Sequence, residues 1–178
     1  MNGTKGTKDG SNKFKFPGII DTFKECLGVI FLKDTSIITI YLNPAHALNL
    51  ITIYFIMILI PYRPMMNEPI FDFSKIIEGI LLTIFFIVLL YIFMPSKKIR
   101  FSGFFRIMLA AEVIDIINPV SFFVPKEFLS FFYAGSLGWY FLIVVIILNK
   151  FIGMPKHIGV IYVFCVFLVV NMIPALFQ

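Results

Sequence analysis

Three carboxylic acids lie inside long apolar stretches of this chain: Glu78, Glu112 and Asp115. Placing an Asp at the centre of a membrane helix costs about 2.5–3.5 kcal/mol on insertion scales, so such a residue asks for a function. Glu112 and Asp115 are three residues apart and share a helical face, and Asn118 continues that sector just before Pro119. Two acids and an amide beside a helix break can present oxygens to a cation or a proton. The same row would also serve as a structural hydrogen-bond network between helices, and both readings stand. Glu78 falls in the early turns of its stretch, where an acid complements the helix dipole and can reach water. Asn171, with Pro174 three residues on, reads as a second polar break, whose plainer role is a kink with a satisfied amide.

Other residue types carry weaker signals. Ser136 sits among the small residues Ala134, Gly135 and Gly138, and Ala134 with Gly138 forms a small-xxx-small pair that favours close helix packing. His46, with Asn49 three residues later, could belong to a proton or metal site, but a lone His near a membrane interface is more simply wetted. His157 carries no clear signal. Trp139, Tyr140 and Tyr133 read as packing residues, and Cys26 and Cys165 as free, buried thiols. The chain has no phosphate-binding loop, no GxGxxG, no HExxH, no CxxC and no Ser/His/Asp constellation. Neither enzymatic activity nor a cofactor is expected.

The elements that must position these groups follow from composition and charge. Of 178 residues, 60% are hydrophobic and 14% charged, and mean hydropathy is +0.96, more apolar surface than a soluble domain of this size can cover. An all-α integral membrane protein is expected. Residues 1–16 are polar and read as a disordered tail with no cleavable signal peptide. Residues 17–35 follow as an amphipathic helix, with Ile20, Phe23, Leu27, Ile30 and Phe31 on one side. It is expected to lie in the membrane interface, with docking on a partner helix as the rival arrangement. A five-span domain at 36–178 then has spans at about 44–61, 76–94, 102–124, 128–149 and 158–177, the first opened by Asn43 as cap and Pro44 at the first helical position.

Basic residues alternate with these spans. Lys5, Lys8, Lys13, Lys15, Lys24 and Lys33, then Lys97, Lys98, Arg100 and Arg106, then Lys150 and Lys156, fall on one side; only Arg63, Lys75 and Lys126 fall on the other. The N-terminus is therefore expected in the cytoplasm and the C-terminus on the opposite side. The same charge favours anionic lipid headgroups over nucleic acid as a partner, and leaves protein partners or a homo-oligomer open. In this topology Glu78, Asp115, Asn118 and Asn171 come to similar depth in the outer half, where they could share one polar cavity.

A polar N-terminus, an amphipathic segment and five compact spans resemble the Yip-domain (Ypt-interacting protein) family, particularly its short prokaryotic members. FPGIIDTFKECLGVIFLKD resembles that family's pre-membrane helix, and FSGFFRIMLAAEVIDIINPVSFFV resembles its third span. The YGP-type signature of eukaryotic members is absent, and no functional residue transfers. The resemblance implies a non-enzymatic scaffolding, assembly or membrane-organising role. Its rivals are a cation or proton transporter or channel subunit using Glu112, Asp115 and Asn118, and an accessory subunit of a larger membrane complex.

Overall fold

The computed structural model describes residues 16–64, 71–95 and 99–176, with side chains to residue 172. The expected disordered tail, except Phe16, and Lys97, Lys98 and Gln178 lie outside the described residues. All regular structure among the described residues is helical.

Helix α1, Ile19–Ile30, starts after Pro17-Gly18, with Gly18 extended, and its buried side is Thr22, Cys26, Val29 and Ile30. This side is covered by helices of the same chain rather than left to the bilayer. One side of α1 is thus docked within the chain: Phe23 and Leu27 pack against the core, while Ile20 and Phe31 remain exposed. The helix stops at Leu32, which takes a left-handed φ of 58° and lets the Lys33 amide close back on Gly28 O at 2.8 Å.

Helix α2, Asp34–Leu42, uses an apolar stretch that sequence patterning left outside the spans. Asn43 ends it and caps the turn Pro44–His46 by accepting from the Ala45 amide at 3.0 Å. Helix α3, Ala47–Ile58, continues at 86° to α2. The capping role expected of Asn43-Pro44 is what bends the chain here. Helix α4, Phe73–Ile92, is capped by the Asp72 carboxylate.

Helix α5, Phe101–Ala111, gives way to a 3-10 segment, Glu112–Phe123, instead of continuing as one span to residue 124. Pro119 lies inside this segment; it has no amide to donate and its ring would collide with the carbonyl four residues back in an α-helix. Helix α6, Leu129–Ile152, ends on Gly153 in the left-handed region (φ 74°), and α7 runs Lys156–Leu176.

Among the described residues two helices are long and apolar enough to cross a membrane, Phe73–Ile92 and Lys126–Ile152 counted with its lead-in turn, and a third results if the bent pair Asp34–Leu42 and Pro44–Ile58 is one span. This is consistent with a membrane protein. Alone, the 12 residues of α3 rise only about 18 Å against a hydrocarbon core of about 30 Å.

The core sits where α1, α2 and α5 meet α3 and α6, around Val29, Ile37, Ile40, Phe104, Ile107 and Ile147. Arg106 is buried there: its Nε donates to Ile40 O at 3.1 Å and its Nη2 to Tyr41 O. These carbonyls belong to the last turn of α2, which Asn43-Pro44 leaves without helical partners, and a guanidinium matches both their lone pairs and the negative end of the helix dipole.

Candidate functional site

The change of winding at Glu112 organises the site. In a 3-10 helix, with three residues per turn, side chains at i and i+3 stand in one row, whereas in an α-helix each step would swing the row about 60° around the axis. Glu112, Asp115, Asn118 and Ser121 thus form a straight polar ladder. Its rungs are held from three directions. The Tyr140 hydroxyl on α6 donates to Glu112 Oε1 at 2.6 Å. The Asn118 side chain faces the Asp115 carboxyl. Ser121 Oγ, fully buried, accepts from the Arg63 amide at 2.8 Å, while Arg63 Nη1 donates to Val124 O and Arg63 O accepts from Tyr133.

The first three rungs of the ladder face a cavity of ≈ 370 Å³ bounded by the middle of α4, the first half of α6 and the later turns of α7. Glu112, Asp115, Asn118, Ser136 and Asn171 all line it. Four of the five acid and amide candidates named from sequence are therefore brought together. Glu78 is not: it is exposed on α4 and off the cavity wall, while its neighbour Gly79 lines it. An adjoining lobe of ≈ 240 Å³ shares Gly79, Thr83 and the Glu112–Asp115–Asn118 row, and extends towards Tyr54 and the capping residue Asp72. The Tyr54 ring is 5% exposed; its hydroxyl faces Thr83 but makes no hydrogen bond of ordinary geometry.

Several expectations change. Ala134 and Gly138 are exposed, and a Cβ on Gly138 would meet nothing within 4 Å, so among the described residues the pair packs no helix. Tyr133, Tyr140 and Trp139 are polar anchors rather than mere packing, the Trp139 indole donating to Ile30 O at 3.1 Å. His46 is buried, not wetted, with Nδ1 2.8 Å from Thr22 Oγ1. The Thr22 hydroxyl has one proton and places it on Gly18 O at 3.1 Å, so it accepts from His46 Nδ1–H and from Asn49 Nδ2. That triad ties α1 to the turn before α3. Asn171 satisfies its amide on Phe167 O at 2.8 Å, as expected, with its carbonyl oxygen remaining as an acceptor. Cys26 is buried, but Cys165 is exposed.

Sequence reasoning missed Tyr140, Tyr54 and Ser121. Only Ser121 had a readable signal: polar residues at 112, 115, 118 and 121 repeat with a period of three, the signature of 3-10 winding.

Among the described residues no group of three or more His, Cys, Asp or Glu is placed to hold a metal ion. Two carboxyls with neutral oxygens around them suit a proton, a monovalent cation or an amine better than a tightly held divalent metal. Compared with known proteins, the chain matches no family model, no curated protein and no solved structure.

Proposed function

We propose that this chain is a multi-pass membrane protein that binds a cation or proton at Glu112 and Asp115 and works as a transporter or channel subunit. The observation carrying this reading is the convergence of Glu112, Asp115, Asn118, Ser136 and Asn171 on one cavity. A row built only to hold helices together would have its polar atoms turned into helix–helix contacts. Here one Glu112 oxygen meets Tyr140, and the row borders open volume on two sides. Acids inside membrane spans mark ion and proton paths by default because their placement is costly. The bent α2–α3 pair, α4, α5 with its 3-10 continuation, α6 and α7 would make five spans. The distribution of Lys and Arg supports a cytoplasmic N-terminus and a C-terminus on the far side. At the cytoplasmic end Arg100 and Arg106 line a separate cavity of ≈ 270 Å³, where anionic lipid headgroups are expected.

Flux into proteoliposomes tests the reading. Wild-type protein is expected to carry protons or a monovalent cation above the rate of empty liposomes, and the Glu112→Gln, Asp115→Asn double variant is expected to lose that flux. Wild-type protein indistinguishable from empty liposomes would remove the proposal.

A second reading, the membrane-organising role that the Yip-type layout suggests, draws support from Phe16, Ile19, Ile20 and Phe31, which stand exposed at the two ends of α1. Because α1 is part of the core, deleting it would unfold the bundle and test nothing. Ile20→Ser with Phe31→Ser leaves the packed side intact. Under this reading it should weaken binding to anionic vesicles or to a copurifying subunit, and unchanged association would count against it.

A further inference from the structure

The volume, walls and second lobe of the cavity narrow the ligand class. A bare monovalent ion fills little of ≈ 370 Å³, a volume in the range of small-molecule pockets. The walls beside the acids are aromatic: Phe86 and Tyr140 have ring centroids 6.1 Å apart and both line the cavity with Phe167. Carboxyl groups next to aromatic faces are what an ammonium with hydrocarbon substituents prefers, since the rings attract the cation and accept its apolar shell. In the adjoining lobe the buried Tyr54 hydroxyl lacks a hydrogen-bond partner, and a buried hydroxyl left unmade is costly. The two lobes share Thr83, Glu112 and Asp115 in their walls, so both border the same acids.

Resting on the cation-binding reading above, we infer that the ligand is a small organic cation whose ammonium sits at Glu112 and Asp115 and whose opposite end carries a hydroxyl or carbonyl for Tyr54. The acids supply charge, Phe86 and Tyr140 select against a fully hydrated ion, and Tyr54 reads the polar end.

The test is calorimetric titration of the full chain in nanodiscs with choline, tetramethylammonium and sodium chloride at matched ionic strength. Choline should bind several-fold more tightly than tetramethylammonium, and sodium should not displace it. Glu112→Gln with Asp115→Asn should weaken choline at least tenfold. Phe86→Leu should weaken both ammonium ions up to about tenfold, and Tyr54→Phe should erase only the preference for choline. Sodium that excludes choline, or choline binding undiminished in the acid variant, overturns the inference. If neither ammonium ion binds while proton or cation flux persists, the organic-cation inference falls and the cation reading survives. If binding and flux are both absent, both fall. A choline preference unchanged by Tyr54→Phe overturns the role given to the second lobe.

Discussion

The corner where α1, α2 and α5 meet and the cavity beside α4 use the same small residues to opposite ends. At the corner, glycine permits contact: a Cβ on Gly103 would come within 2.5 Å of the Tyr41 ring and 3.1 Å of its backbone oxygen, and one on Gly28 within 2.1 Å of Ser36 Oγ. Beside the cavity, a Cβ on Gly79 would meet nothing within 4 Å. The polar groups divide the same way. Buried Arg106 has helix-end carbonyls for partners, whereas the Glu112–Asp115 row borders open volume and the buried Tyr54 hydroxyl at its wall makes no hydrogen bond. Without a strong hydrophobic drive between helices in lipid, close packing and hydrogen bonds must hold the bundle. One region supplies them, which allows the other to stay open.

The sharpest way to break this contrast is to fill the glycines. Gly103→Ala should cost about 3 kcal/mol, the upper end for overpacking, because the Tyr41 ring 2.5 Å away must move while the Tyr41 backbone oxygen at 3.1 Å leaves little slack. Gly79→Ala should be neutral or stabilise by up to about 1 kcal/mol through helix propensity. Thermal unfolding in mild detergent measures both, and equal losses would erase the distinction. Arg106→Met comes next, at about 2 kcal/mol, since it strands two buried carbonyls of α2.

Glu112→Gln should change stability by less than about 1 kcal/mol, because the amide oxygen still accepts from Tyr140, yet flux should disappear. A loss of fold matching the loss of flux would return the acid row to a structural role.

The smallest expected effect is at Cys26. Burial, with Glu25 nearby, pushes its thiol up to about 12. Its folded value lies above the unfolded one of about 8.5, so its stabilising effect is full below about pH 8.5 and is lost as pH rises towards 12. In a Cys165→Ser background, labelling by N-ethylmaleimide at neutral pH should be slow until dodecyl sulfate is added. Rapid labelling of the folded protein would mean that α1 opens from the core.

Much of the site was legible because its signals are local. Acids in apolar stretches, the spacing of 112, 115 and 118, and the Asn43-Pro44 break all depend on near neighbours in the chain. Their convergence with Asn171 was legible in part, since antiparallel spans return to the same depth. Glu78 reaches the surface, as its place in the early turns of α4 allowed, because position along α4 fixes its depth but not which way it faces. The aromatic partners were hidden for a related reason: Tyr140 and Tyr54 meet Glu112 and Thr83, 28 and 29 positions away along the chain, only once the helices pack, which composition does not encode. The docking of α1 was equally hidden, because one apolar face suits a lipid boundary and a protein core alike. The long 3-10 run escaped because such runs are uncommon, although its period of three was written in the sequence.

If the Glu112–Asp115 cavity is a water-accessible, cation-selective site, thiol reagents of opposite charge will reach it at different rates. Ser136 lines the cavity on α6. In a Cys26→Ala, Cys165→Ser background, Ser136→Cys should react with a cationic methanethiosulfonate at least about tenfold faster than with an anionic one of similar size, and Glu112→Gln with Asp115→Asn should remove the preference. Equal rates for the two reagents, or no reaction with either, would rule out a water-accessible cation-selective cavity.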